Sequence, residues 1–112
     1  MDALHPMANT FKLFADPSRL HLLALLREQE LCVCELVELS GLSQPNVSQH
    51  IRKLKQGGLV AESKRGQWVY YSLLPASSEY LQAVYQALPS YQQTIRAWRK
   101  ESEMCCETEA DC

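Results

Sequence analysis

The stretch LCVCELVELSGLSQPNVSQHIRKLKQGG occupies residues 31–58 and decides the fold. Residues 31–40 carry apolar side chains at helical spacing, and Gly41 suits the end of such a helix because glycine tolerates positive φ. Ser43 predicts the N-cap of a second helix that runs through Gln56. The inward face of that helix is apolar at Val47, Ile51 and Leu54. Two helices joined by so short a turn form a helix-turn-helix.

Two strands are predicted directly after the second helix. Residues 59–64 and 67–73 are rich in Val, Tyr and Trp, and Arg65-Gly66 between them is typical of a tight turn. A β-hairpin behind the second helix of a helix-turn-helix is a wing. The sequence therefore predicts a winged helix-turn-helix, mainly α with a small β-hairpin wing.

Two helices are predicted ahead of this core. Residues 7–15 form a short one. Asp16 and Pro17 then begin a leucine-rich helix that ends near Glu28, with Asp16 as N-cap and Pro17 in the first turn, where its missing N–H costs nothing.

A long helix is predicted at the carboxyl end. From Ser77 onward, apolar residues keep a helical period for about five turns, and Pro89 is expected to kink or break the helix. The apolar face at residues 81–88, together with the N-terminal helix, is expected to hold a homodimer. We expect a DNA-binding and dimerisation domain over residues 1–100, followed by an acidic, cysteine-containing tail over residues 101–112.

Charge is divided unevenly along the chain. The formal net charge is −2, but residues 43–67 contain five basic residues and one acidic one. Residues 101–112 contain five acidic residues and no basic one. Because the attraction of phosphate is screened over about 8 to 10 Å, a local basic patch can serve nucleic acid in a chain that is negative overall.

Polar and basic side chains occupy the outer face of the second predicted helix and the tip of the hairpin. Amides and guanidinium groups hydrogen-bond to base edges in the major groove, while hydroxyls and ammonium groups suit phosphates. An ordinary solvated helix face is the alternative, but the helix-turn-helix spacing, the scarcity of acids and the basic wing tip favour double-stranded DNA. The candidate DNA-binding residues are Ser43, Gln44, Asn46, Ser48, Gln49, His50, Arg52, Lys53, Lys64, Arg65 and Gln67.

Four motifs together resemble the ArsR/SmtB family of metal-sensing repressors. They are ADPSRL at residues 15–20, ELCVCEL at 30–36, SQPNVSQHI at 43–51 and RGQWVYY at 65–71. The resemblance runs without a gap from Phe11 to Leu73. It implies a winged-helix homodimer that binds a palindromic operator and dissociates from it when a metal binds.

Five cysteines are grouped as a pair, Cys32 and Cys34, and a terminal cluster, Cys105, Cys106 and Cys112. The chain has no predicted secretion signal or membrane span, so we expect a cytoplasmic protein without membrane contact, in which such cysteines bind metal or undergo redox chemistry. Thiolates are soft ligands, and a helix N-terminus should lower the pKa of the pair. In a regular helix the two side chains would point about 200° apart, so one ion can reach both only if this end is extended or unwinds.

The resemblance also bears on the inducer. The Glu-Leu dipeptides that flank the pair match the family's metal-site motif, but arsenical repressors of this type commonly have a third cysteine where this chain has Val37. The terminal cluster is similar to a second arsenic site of other ArsR proteins. These features imply As(III) or Sb(III) as inducer, with no obligatory cofactor. Either the tail is a complete site, or the pair gains its third ligand from a tail thiol or a small external thiol, or the pair has no third thiol.

The same residues argue against several other functions. The family's zinc site needs paired His and carboxylate ligands on the terminal helix, but residues 77–100 hold no histidine and only Glu79 as an acid. The cadmium and lead sensors use N-terminal cysteines, whereas residues 1–10 offer only His5. A thiol enzyme is disfavoured because Cys-x-x-Cys and a phosphate-binding glycine loop are missing. A redox-responsive or Cd/Pb/Zn-responsive repressor of the same fold is the alternative.

Overall fold

The computed structural model describes the backbone of residues 4–108 and the side chains of residues 4–100. Over this range the chain forms a helical body with a three-stranded antiparallel sheet of order β1-β3-β2. The elements are α1 Leu4–Phe14, α2 Pro17–Glu28, β1 Leu31–Cys32, α3 Val33–Ser40, α4 Gln44–Gln56, β2 Val60–Arg65, β3 Trp68–Leu73, α5 Glu79–Ala87 and α6 Gln92–Thr108. No described helix is both long and apolar enough to span a bilayer.

Helix α2 lies at the centre of the body. The Asp16 carboxylate accepts the Ser18 N–H at 2.8 Å, which confirms the predicted N-cap. The buried residues of α2 are Leu22, Leu23, Ala24, Leu25 and Leu26, each 3% exposed or less. Because these side chains point to several sides of the helix, α2 packs against α1, α3, α4, α5 and β3.

The helix-turn-helix is confirmed. Gly41 has φ 78° after α3, and the Ser43 hydroxyl accepts the Asn46 N–H at 3.3 Å at the start of α4. The predicted inner face of α4 is buried at Val47, Ile51 and Leu54. Helix α4 is therefore fixed by one apolar face, and the face opposite to it stays in solvent.

The wing is also confirmed, with each strand starting one residue later than predicted and Gly66 at φ 64° in the turn. The expectation that residues 31–40 form one helix is wrong at its start. Leu31 pairs with Tyr71 and Cys32 with Tyr70, so these two residues form strand β1 and α3 begins at Val33. Backbone pairing with a strand about forty residues away prevails here over the local helical pattern.

Pro89 splits the predicted terminal helix instead of kinking it. Helix α5 ends at Ala87 and α6 begins at Gln92. Proline has no N–H and cannot continue a helix ladder. Arg27 holds the break by donating hydrogen bonds to three carbonyl oxygens, those of Tyr85 at 2.6 Å, Leu88 at 2.8 Å and Pro89 at 2.9 Å.

The predicted dimer face is only partly available. Leu81 and Tyr85 of α5 are 6% and 8% exposed within one chain, because both belong to the core. Helix α1 instead presents large apolar side chains to solvent at Leu4, Met7 and Phe11, which are 58%, 37% and 47% exposed. These three residues, spaced three and four apart on one helix face, are the apolar face of α1.

Replacing Arg27 by Ala should lower the free energy of unfolding by about 2 to 3 kcal/mol, because three carbonyl oxygens lose a charged donor. Urea denaturation measures the effect. Arg27→Lys is the matched control, since it keeps the charge but cannot reach all three oxygens. Its free energy of unfolding should lie between that of the parent and that of Arg27→Ala. An Ala variant as stable as the parent would contradict this role for Arg27.

Candidate thiol site and nucleic-acid interface

The two cysteines of the pair lie together. Cys32 ends β1 in an extended conformation, with φ −91° and ψ 172°, and is the N-cap of α3, while Cys34 lies in the first turn. Their Sγ atoms are 3.5 Å apart. The sequence required that this end of the helix be extended or unwind for one ion to reach both cysteines, and the structure shows it extended at Cys32. The pair is therefore assembled before any ligand arrives.

Glu35 connects this pair to the carboxyl-terminal helix. Its Oε1 accepts the Cys32 N–H at 3.0 Å, and its own N–H is directed at the Cys32 side chain, which completes a capping box with sulfur in place of a hydroxyl. The other carboxylate oxygen lies 3.5 Å from Nη2 of Arg99 on α6. The spacing Cys-x-x-Glu is a sequence sign of a capping box that could have found Glu35, but nothing local pointed to Arg99.

The expected lowering of the thiol pKa is wrong for Cys32. The pKa of Cys32 is raised to about 12, chiefly because burial removes the thiol from water; the Glu35 N–H opposes this rise, while the charge of Glu35 and the neighbouring Cys34 contribute to it. Cys32 is only 2% exposed, so the loss of hydration outweighs the favourable helix N-terminus. The thiol therefore keeps its proton at neutral pH.

The pair fits two positions around a thiophilic ion. A metal–sulfur bond is about 2.3 Å long, so two sulfurs on one ion lie within about 4.6 Å of each other, and the observed 3.5 Å satisfies this. Among the described side chains, no cluster of three or more His, Cys, Asp or Glu forms a metal site. The side chains of Cys105, Cys106 and Cys112 lie outside the described residues.

The structure separates the candidate DNA-binding residues into two groups. Ten of them are exposed on the outer face of α4 or around the wing tip: Ser43, Gln44, Asn46, Ser48, Gln49, Arg52, Lys53, Lys64, Arg65 and Gln67. His50 differs, because it is partly buried and its Nδ1 lies 3.3 Å from Nη1 of Arg19 on α2. The position of His50 indicates a role in packing α4 against α2.

Two wing residues also have partners within the chain. Arg65 forms an ion pair with Glu30, and its guanidinium lies 4.7 Å from the centroid of the Tyr70 ring. On the same strand, β2, Glu62 forms an ion pair with Lys55 at the end of α4. Ion pairs thereby connect the wing both to the loop before β1 and to the end of α4.

Comparison with known proteins identifies the family to which this chain belongs. Residues 16–62 match the family model described as bacterial regulatory protein, arsR family. The chain is 38% identical over 96 residues to the arsenical resistance operon repressor of Escherichia coli K12, across 83% of this chain and 73% of that protein. The chain belongs to the arsR family. This is a family of DNA-binding transcriptional regulators, which agrees with the regulator interpretation over the thiol enzyme.

Two further relatives extend the comparison. The chain is 43% identical over 75 residues to the arsenic resistance transcriptional regulator ArsR1 of Pseudomonas putida, across 66% of this chain but only 59% of that protein. It superposes with a TM-score of 0.65 on a homodimeric winged helix-turn-helix DNA-binding domain from Mycobacterium bovis, at 24% identity, covering 91% of this chain and 87% of that one. The second likeness bears on the fold alone.

Gln49→Ala or Arg52→Ala should weaken binding to a DNA duplex selected by the protein from a random pool by about 1 to 3 kcal/mol, with effects that depend on the bases replaced. Lys64→Ala should weaken binding to all sequences alike and reduce the salt dependence, as the loss of a phosphate contact does. Fluorescence anisotropy at several salt concentrations measures both effects. Arg96→Ala is the matched control, because Arg96 is exposed on α6. If Arg96→Ala and Arg52→Ala lose the same amount of DNA affinity, the outer face of α4 is not the DNA-binding face.

Proposed function

We propose that this regulator is a homodimeric repressor that binds double-stranded operator DNA through α4 and the wing, and that it dissociates when As(III) or Sb(III) binds its cysteines. The observation that carries the proposal is the position of the thiol pair. Two sulfurs 3.5 Å apart stand at the entrance of α3, the first helix of the helix-turn-helix. An effector bound there acts directly on the element that positions the DNA-facing helix.

The route from thiols to DNA is short. Cys34 belongs to α3, and α3 packs against α4 across the turn at Gly41. A ligand that draws both sulfurs and a third donor around one centre changes the backbone at the start of α3. Because packed helices shift as units, α4 moves with α3. The factor by which the effector lowers DNA affinity equals the factor by which it binds the free protein more tightly than the DNA-bound protein.

Trivalent arsenic requires a third donor beyond the pair. Val37, at the position where arsenical repressors of this type commonly have a third cysteine, supplies no thiol and packs against the core. One of the tail thiols or a small external thiol would complete the set. In either case arsenous acid binds thiols with loss of water, whereas a divalent cation such as Cd²⁺ displaces protons from them. Counting the protons released per ion therefore separates the arsenic proposal from the cadmium, lead and zinc alternative.

The terminal cysteines form the second candidate site. Cys105, Cys106 and Cys112 bring three thiols within eight residues, enough for one ion. Helix α6 packs against α3, and the contact between Arg99 and Glu35 joins the two elements near the pair. This contact offers the tail a path to the helix-turn-helix, which the sequence did not reveal.

Cys32→Ser and Cys34→Ser should each bind DNA like the parent protein but no longer release it when arsenite is added. The measurement is anisotropy of labelled duplex during an anaerobic arsenite titration, which excludes disulfide formation as the cause of release. Cys105→Ser, Cys106→Ser and Cys112→Ser are the matched variants. If they alone abolish the response, the terminal cluster is the sensing site, and removal of residues 101–112 should give a repressor that stays bound.

A protein in which all five cysteines are Ser and which still releases DNA with arsenite would overturn the sensing mechanism. Release that requires an oxidant and ignores arsenite would support the redox-responsive alternative.

The apolar face of α1 supports the homodimer. Phe11 lies 5.2 Å, centroid to centroid, from Tyr80 of α5, so this face continues onto the helix expected to hold the dimer. A pseudo-twofold operator requires two copies of α4 in fixed relation. A second copy covering Leu4, Met7 and Phe11 would remove their exposed surface from water.

Met7→Asp should therefore yield monomers that lose most of their DNA affinity, because a charge at a dimer contact costs several kcal/mol when buried. Sedimentation velocity measures the assembly. Asn9→Asp, on another side of the same helix, is the control and should stay dimeric. An unchanged dimer in Met7→Asp would place the interface elsewhere. Leu81→Asp is unsuitable for this test because Leu81 lies in the core of its own chain.

A further inference from the structure

One face of the sheet joins the thiol pair to the wing. Cys32 of β1 is the register partner of Tyr70 on β3, and Tyr70 is in turn opposite Ser63 on β2. Side chains two apart on a strand share a face, so Arg65 lies on the same face as Ser63 and Tyr70. A thiol ligand, an aromatic ring and a basic wing residue therefore occupy neighbouring positions across three strands.

The contacts of Arg65 follow this face. Its guanidinium lies 4.7 Å from the centroid of the Tyr70 ring and is paired with the carboxylate of Glu30. Glu30 stands two residues before Cys32, at the entrance to the same strand. Arg65 is thus held by Tyr70, which lies opposite Cys32, and by Glu30, which precedes Cys32 by two residues.

We infer that Glu30 and Tyr70 are positioning residues for Arg65 and couple this wing cation to the thiol pair, so that effector binding at Cys32 and Cys34 displaces Arg65 from DNA. The inference rests on the proposed function in that the pair binds the effector. It adds a second route to DNA, through the wing, that is independent of the packing of α3 on α4.

The shortness of strand β1, which is only two residues long, supports this coupling. Its ladder consists of the pairs of Leu31 with Tyr71 and Cys32 with Tyr70. Cys32 cannot shift toward a third donor without moving one of these two pairs. A ladder so short has little stability of its own, and a shift in it carries Glu30 and Tyr70 away from their positions around Arg65.

A shift of the β1–β3 ladder that moves Arg65 would lower the affinity for DNA. Its side chain is 55% exposed at the wing tip, within a local excess of positive charge. Arginine contacts phosphate through a planar group whose hydrogen bonds depend on orientation. Displacement of a single such contact lowers the salt dependence of binding by about one unit of slope.

The test compares DNA affinity with and without saturating arsenite in the parent dimer, in Glu30→Gln and in Lys64→Gln. Glu30→Gln removes the ion pair with Arg65 but keeps a side chain of the same size. Lys64 is the neighbouring wing cation on the opposite face of β2, so Lys64→Gln is the matched control. Arsenite occupancy is measured separately in each protein by equilibrium dialysis.

In Glu30→Gln, the ratio of the two DNA affinities should shrink by about fivefold or more relative to the parent. Lys64→Gln should weaken DNA binding in both conditions and leave the ratio unchanged within about twofold. Equal ratios in all three proteins, at equal arsenite occupancy, would overturn the inference while leaving the proposed function intact. Failure of arsenite to bind the parent protein would overturn the proposed function and this inference with it.

Amide hydrogen exchange in the parent protein provides a second test without a variant. On arsenite binding, the amides that bond between β1 and β3, among residues 31, 32, 70 and 71, should exchange about fivefold faster or more, because the β1–β3 pairing is disturbed. The amides of α2 should not change. Unchanged exchange of the amides in the β1–β3 ladder at full arsenite occupancy would also overturn the coupling.

Discussion

Burial of helix α2 is the constraint on which the rest of the structure depends. Leu22, Leu23, Leu25 and Leu26 are each 3% exposed or less, and removal of each from water contributes about 1.5 to 3 kcal/mol. A helix buried on several sides requires neighbours on all of them, so the helix-turn-helix, the sheet and α5 are arranged around it. The same arrangement leaves the outer face of α4 and the wing tip in solvent, where DNA can reach them.

Cys32 takes part in three structures at once. It ends β1, it is the N-cap of α3, and its sulfur lies 3.5 Å from that of Cys34. A ligand that rearranges this residue therefore acts on a strand of the wing sheet and on a helix of the helix-turn-helix together. Glu30 and Glu35, on either side of the pair, extend these connections to Arg65 of the wing and to Arg99 of α6.

Most of the fold was predictable because its boundaries are marked by local chemistry. Asp16 and Ser43 cap their helices with their own side chains, and Gly41 takes the positive φ that ends α3. The break at Pro89 was predictable as a kink or a split. Its outcome depended on Arg27, which reaches the end of α5 from the end of α2 and satisfies the carbonyl oxygens there.

The amino-acid sequence by itself determined the winged helix-turn-helix, the basic outer face of α4 and the presence of a thiol pair, because helix caps, apolar periods and turn residues act over a few positions. Tertiary structure alone decided that Cys32 is extended, that its burial raises its pKa to about 12, and that Glu35 meets Arg99. Each of these depends on elements distant in sequence. Desolvation and strand pairing are properties of the packed chain, and no local pattern encodes them.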